Sequence, residues 1–285
     1  RVIYQSPTSL ENIAVRDTSH LLLTSAASPT LFTLDPTATN GTLDSLHTFP
    51  NATGLLGIAE YRPGVFALVA GILNLTTLRA EPGSVAIWNV DFNAKNPIVR
   101  ILAAVPEAAL GNGLTVLPGD TGILLLADSV AGAVWQIDVR TGASRLAIRD
   151  PSMQFTAPTL GLGINGLHVQ ADYLHFTNSD QSTFSRVALT AHDGNVTAAG
   201  VVQTLATIQG TPDDFALDKQ GRAWVTAHPG ALTLLSPPGG FNRTGTWSQV
   251  TVAGNAEGTD ARLNQPTSAA LGRGDVVQEQ ILYVT

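Results

Sequence analysis

One short apolar phrase returns six times along the chain, each time after a small or polar residue. It reads Asn12-Ile13-Ala14-Val15, Gly57-Ile58-Ala59, Gly113-Leu114-Thr115-Val116, Gly166-Leu167-His168-Val169, Asp214-Phe215-Ala216-Leu217 and Ser268-Ala269-Ala270-Leu271. Matched at Ile13, Ile58, Leu114, Leu167, Phe215 and Ala269, the phrases stand 45, 56, 53, 48 and 54 residues apart. Self-similarity at about 40–50 residues, built from strand-like runs, predicts a β-propeller. The expected architecture is all-β: one six-bladed propeller domain over residues 1–285.

Each repeat continues alike. In the third, Gly113 to Leu117 is followed by the turn Pro118-Gly119-Asp120-Thr121-Gly122, then by the unbroken apolar strand Ile123 to Ala127. A loop leads to the alternating run Ala133 to Val139, and Arg140-Thr141-Gly142 turns into a fourth strand. Alternation marks a half-buried strand, and an unbroken run one covered on both faces. Third strands are expected likewise at 31–34, 85–90, 185–189 and 232–235. No segment sustains a 3.6-residue period, so almost no helix is predicted. The sixth repeat stops at Ile281-Leu282-Tyr283-Val284-Thr285, and Val2-Ile3-Tyr4 is the spare strand expected to close the ring. Such closure protects edges that would otherwise stay unpaired.

Composition narrows the function. Apolar residues make up 44% and charged ones 13%, with 27 Gly and 16 Pro, as suits a large core with many turns. No apolar run reaches the roughly 18 residues of a membrane span. A net charge of −7 without a Lys/Arg cluster argues against nucleic acid as a partner. Absence of cysteine excludes disulfides, thiolate catalysis and Cys-bound zinc. Five Asn-x-Thr sequons occur, at Asn40, Asn51, Asn74, Asn195 and Asn242, where about 2.4 are expected by chance. With a chain that opens at Arg1, they point to a secreted, N-glycosylated eukaryotic protein.

Topology gives the chemistry an address. In a propeller the starts of the innermost strands and the loops between second and third strands meet at one funnel mouth. The first set is Glu11, Leu56, Asn112, Asn165, Asp213 with Asp214, and Gln265; the second includes Thr24, Ser25, Asp128, Ser129, Asn178, Ser179 and His228. Polar groups placed where the repeat needs only Gly or apolar residues are candidates for function.

Glu11-Asn12-Ile13-Ala14-Val15, Asn112-Gly113-Leu114, Asn165-Gly166-Leu167 and Pro212-Asp213-Asp214-Phe215 resemble the metal-binding pattern of the regucalcin/gluconolactonase superfamily. The resemblance implies that Glu11, Asn165 and Asp213 ligate a divalent ion, Ca2+ or Mg2+, and that Asn112 contacts substrate. Asn12 and Asp214 stand where that family usually has Gly, and no arginine matches its lactone-orienting one. Glu11 to Arg16 and Leu22-Leu23-Thr24 are similar to secreted fungal propellers of this superfamily. That group includes the hetero-Diels–Alderases of tropolonic sesquiterpene biosynthesis, which join a tropolone o-quinone methide to a humulene-type alkene.

A cycloaddition requires no nucleophile or redox cofactor. It requires two apolar partners held in reacting geometry, worth about 7–11 kcal/mol of effective concentration and orientation. A donor on the heterodiene carbonyl and an acid for departing water would assist. Asn112 and Asn165 are candidate donors; Glu11, Asp213, Asp214 or His228 is the candidate acid. Met153, Phe155, Phe215 and Trp247 are candidate substrate walls, with Asp128 and Asn178 as further contacts. Alternatives are a metal-dependent lactonase and a non-catalytic binding propeller. Gly161-Leu162-Gly163-Ile164-Asn165-Gly166 matches a dinucleotide fingerprint but precedes a strand, so no nucleotide site is expected there.

Overall fold

The computed structural model describes residues 1–39, 41–156, 160–239, 245–260, 263–273 and 278–285. Five blades are antiparallel sheets. Blade one is Ile13–Val15, Leu21–Ser25, Ser28–Leu34 and Asp44–Thr48; blade two is Gly54–Arg62, Val65–Gly71, Ala86–Asp91 and Ile98–Ala104. Blade three is Gly111–Val116, Ile123–Asp128, Ala133–Asp138 and Ser144–Arg149. Blade four is Ile164–Gln170, Tyr173–Asn178, Thr183–His192 and Gln203–Thr207, with Asn195–Ala198 pairing the far end of its long third strand. Thr211–Leu217, Ala223–His228, Ala231–Ser236 and Ser248–Gly254 make blade five. Among the described residues helix is confined to the short 3-10 turns Pro151–Met153 and Gln278–Gln280.

Among the described residues the complete blades number five, not the six that the repeat predicted. The sixth phrase builds only a two-stranded sheet, Ala269–Leu271 with Leu282–Val284. Its inner strand packs between those of blades five and one. The 17 residues from Ala269 to Thr285 hold this one pair of strands, where a full repeat draws 45–56. Val2-Ile3-Tyr4 is not a closing strand either. Ile3 and Tyr4 lie half-buried on the cluster of Ile13, Val15, Leu21 and Tyr283, held by side-chain packing without a hydrogen-bonded ladder.

Blade three shows how sequence becomes layer. Ile123–Asp128 is buried at every position, as its unbroken apolar run requires. Ala133–Asp138 was expected to be half-buried, but its polar face is covered too. The side-chain amide of Gln136 donates to the Gly194 carbonyl and accepts from Val196 N–H at 2.8 Å. The extended hairpin of blade four thus reaches over blade three and satisfies the glutamine it covers.

One irregularity positions the site. The pairing of inner with second strand slips at the same place in four blades: between Leu55 and Ile58, Gly111 and Leu114, Ile164 and Leu167, and Pro212 and Phe215. A β-bulge of this kind bends the strand and re-aims the residues it inserts. The inserted pairs are Leu56-Gly57, Asn112-Gly113, Asn165-Gly166 and Asp213-Asp214. Glu11-Asn12 and Thr267-Ser268 occupy the corresponding places, facing Thr24 and Thr285 through backbone hydrogen bonds.

Candidate functional site

The first residue of each bulge pair points into the funnel. Glu11, Leu56, Asn112, Asn165, Asp213 and Thr267, one per repeat, line a single cavity of about 200 Å³ together with His228. Four of the five residues expected to be catalytic thus come from inner-strand bulges, and the fifth, His228, closes the second strand of blade five. The place expected for Gln265 belongs to Thr267. Gln265 instead accepts from the His228 imidazole, with Nδ1 at 2.6 Å from Oε1.

A hydroxyl from the following loop holds each asparagine. Asn112 Nδ2 donates to Ser129 Oγ at 3.1 Å, and Asn165 Nδ2 to Ser179 Oγ at 2.9 Å. Ser179 Oγ in turn donates to the Pro212 carbonyl. Asn165 also hydrogen-bonds the Asp213 carboxylate, so both its amide hydrogens are committed within the protein. Asn112 has one amide hydrogen left for a ligand.

Three titratable groups crowd the polar half. Burial, then the nearby charges of Asp213 and Asp214, push the Glu11 carboxyl well above the usual carboxylate range. Burial raises Asp213 as well, although its hydrogen bond and charge pairing with His228 pull the other way. His228 Nε2 lies 2.9 Å from Asp213 Oδ2. Burial disfavours the imidazolium, but the hydrogen bond and charge of Asp213 and the bond to Gln265 outweigh it, so the net shift is upward. All three groups favour their protonated forms, and the cavity is a place where a proton can be held and passed.

The second residue of each bulge pair faces a neighbouring inner strand. A Cβ on Gly57 would stand 2.5 Å from the Asn112 carbonyl, and one on Gly113 2.6 Å from the Asn165 carbonyl. Only glycine allows those approaches. Where blades five, six and one meet, the same ring carries Asp214, Ser268 and Asn12. Asn12 Nδ2 donates to Asp214 Oδ2 at 2.8 Å, Ser268 Oγ to the same oxygen at 3.3 Å, and His168 Nε2 lies 3.1 Å from Oδ1. Asp214 is therefore a buried brace one layer below the cavity, not a substrate contact. The two departures from the family's glycines are partners of each other.

The expected substrate walls lie elsewhere. Met153 is fully buried in the core with Leu125, Val134 and Phe176. Phe215 sits edge-on to His168 and Phe184 at 4.8 and 5.0 Å, and Trp247 packs on Phe184 from the outer side. Phe155, half-buried before blade four, is not among the cavity's lining residues. Asp128 accepts from Ala109, Leu110 and Ala131 N–H and from Trp135 Nε1, which makes it a turn staple. Asn178 donates to the Ser152 and Gln154 carbonyls and so fastens the turn before blade four. Apolar side chains at these positions fill the layers between blades, because the bulges alone open toward the axis.

The walls the sequence did not reveal come from a hairpin inserted in blade two, Leu73–Asn74 paired with Arg79–Ala80. Leu73, Asn74, Leu75, Leu78 and Arg79 line the cavity, joined by Leu110 and Leu162. The signal was a loop length. Fourteen residues, 72–85, separate the second and third strands of blade two, against two to four in the other complete blades.

Glu11, Asn165 and Asp213, the implied ion ligands, do share the cavity. The donor set is hard oxygen, but one Asp213 oxygen is held by His228 and the Asn165 amide hydrogens are turned inward. Among the described residues no three His, Asp or Glu side chains come together to hold a metal. With one Asp213 oxygen held by His228, the set as it stands is not preformed for a cation. Of the sequons, Asn51, Asn74 and Asn195 are exposed, while Asn40 and Asn242 lie outside the described residues. Among the described residues no helix is long and apolar enough to cross a membrane.

Fold and cavity define a β-propeller with a mixed polar and apolar funnel site. The chain is similar to a protein from Phoma sp that carries the assigned name hetero-Diels-Alderase, at 27% identity over all of this chain and 86% of that one. It is also 25% identical to a protein of the same assigned name from Sarocladium schorii, over all of this chain and 77% of that one. Among solved structures it is similar to a gluconolactonase from Xanthomonas campestris, with a TM-score of 0.65 and 14% identity over 99% of this chain and 84% of that one. No family model matches.

Proposed function

We propose that the chain is a hetero-Diels–Alderase acting on a tropolone o-quinone methide and a humulene-type sesquiterpene in fungal secondary metabolism. The observation that carries this reading is the mixed lining of one cavity: the proton-holding groups Glu11, Asp213 and His228 and the amide donor Asn112, together with leucines of the ring and of the inserted hairpin. The two relatives named as hetero-Diels-Alderases support it.

In this reading a hydroxymethyl-tropolone enters with its oxygens toward Glu11 and Asn112. The neutral Glu11 carboxyl gives its proton to the departing hydroxyl as the C–O bond breaks. The carboxylate left on Glu11 takes up the proton lost from the tropolone hydroxyl, leaving water and the o-quinone methide and restoring the acid. Asn112 donates to the heterodiene carbonyl and lowers its acceptor orbital. A C–C and a C–O bond then form as the alkene's π bond is consumed, with no atom lost. Holding the two partners together supplies most of the acceleration, on the order of 7–11 kcal/mol.

The runner-up, a lactonase, draws on the His228–Asp213 pair, which could activate water toward an ester carbonyl. One assay separates the readings. A hydroxymethyl-tropolone and a humulene alcohol are incubated with and without the protein, and product yield and enantiomeric excess are compared, alongside turnover of gluconolactone with Ca2+ and with chelator. Enriched, single-handed cycloadduct supports the pericyclase. Racemic product at the background rate overturns it, and chelator-sensitive lactone hydrolysis installs the alternative.

A further inference from the structure

The hairpin inserted in blade two stands between two spaces. On its inner side lies the funnel cavity of about 200 Å³; on its outer side lies a cleft of about 660 Å³ walled by residues 72–81. Leu73, Asn74, Leu75 and Arg79 line both. The hairpin is a partition.

Hydrogen bonds fix its base, and the Asn74 side chain closes its tip by accepting from Thr76 and Thr77 N–H. Leu73 N–H donates to Thr53 Oγ1 at 2.7 Å, Ala80 N–H to the Ala109 carbonyl at 2.9 Å, and Glu81 N–H to the Ile72 carbonyl at 2.8 Å. Across the mouth Arg79, in the hairpin's second strand, holds its Nη1 3.5 Å from the Gly161 carbonyl, at the outer limit of a hydrogen bond. Leu75, 50% exposed, projects from that tip. A large apolar side chain at a funnel mouth costs free energy in water and gains it against an apolar ligand.

Size adds a constraint. Pockets for small organic ligands run from about 300 to 1,000 Å³, more than the closed cavity offers. For a ligand of that size to fit, the hairpin that walls the cavity would have to move outward.

We infer that this hairpin is the apolar half of a divided ligand site, a lid that recognises a hydrocarbon ligand through Leu75 and Leu78 and is latched by Arg79 on the Gly161 carbonyl. The inference rests on the funnel being the ligand site proposed above, and it assigns the two ligand classes to opposite walls. Hydrocarbon meets the lid; the oxygenated ring meets Glu11 and Asn112.

The test uses the full chain and two probes in titration calorimetry: farnesol as the hydrocarbon alcohol and tropolone as the oxygenated ring. Leu75→Ser/Leu78→Ser should weaken farnesol at least about tenfold while tropolone stays within about twofold. Asn112→Ala should do the reverse. Leu75→Trp, which adds bulk at an exposed site instead of removing it, should block farnesol in a protein of unchanged melting temperature. Equal losses of both probes, or no change in either, overturn the division of the site. If the wild-type protein binds neither probe, the ligand-site reading itself falls; if it binds both and the lid variants are silent, only the lid does.

Discussion

Asn12 and Asp214 are 202 positions apart and joined across the channel by a 2.8 Å hydrogen bond from Nδ2 to Oδ2. The bond spans from the first inner strand to the fifth, past the short sixth sheet, and Ser268 of that sheet donates to the same oxygen. Asp214 therefore acts where the ring has least backbone pairing to hold it.

Removing that brace should be costly. Asp214→Ala leaves Asn12, His168 and Ser268 without their acceptor and should destabilise by roughly 2–4 kcal/mol in urea unfolding. Asn12→Gly/Asp214→Gly should cost less than the two single changes together, because each single change strands the other partner. Simple additivity would mean that the bond contributes nothing of its own.

Glu11, Asp213 and His228 all titrate higher in the folded protein than their ordinary values. A group raised by folding contributes stability that is complete below its unfolded pKa and is lost as pH rises through the folded one. For Glu11 the loss begins above about pH 4.5. Glu11→Gln, a neutral look-alike, should therefore melt higher than wild type at neutral and alkaline pH, with the gap closing toward pH 4. Parallel melting curves across that range would show that Glu11 ionises freely.

The two asparagines should behave differently. Asn112→Ala removes the amide with a hydrogen to spare, and should cost about 1–3 kcal/mol of barrier, roughly 5- to 150-fold in rate, with loss of stereoselectivity. Asn165→Ala acts through Asp213 and should move the pH–rate profile as well as the rate. Identical profiles for the two variants would remove the distinction.

Legibility followed the strand phrase. Glu11, Leu56, Asn112, Asn165 and Asp213 each lie two residues before the matched apolar residue, and the same arithmetic from Ala269 gives Thr267. Gln265 is off by two, and Pro266 separates it from the place that counts. Phe215, Trp247 and Met153 could not be sorted from the sequence, since a core layer and a ligand wall ask for the same side chains. The hairpin's Leu73 and Leu75 alternate like any strand, and only the excess length of the loop marks the segment. Blade count failed because a recurring inner strand does not guarantee the outer strands that complete a blade.

Glycosylation is expected at the exposed sequons. Asn74 matters most, because its Oδ1 accepts from Thr76 and Thr77 N–H while the residue lines the cavity. Protein secreted from a eukaryotic host should lose apparent mass on endoglycosidase treatment, and peptide mapping should find sugar at Asn51, Asn74 or Asn195. Unchanged mass would remove the secretory reading.

The bulges have a consequence for how such a protein changes. Each repeat offers one inward position whose backbone is set by the sheet and whose side chain answers to a polar partner, as Asn112 does to Ser129 and Asp213 to His228, so a position changes together with its partner while the blades stay as they are. The leucine at position 56 and the acid at position 213 occupy equivalent places in the same frame. New chemistry is then reached by exchanging letters at these six addresses, with the second ring, where glycine or a matched partner is required, left untouched.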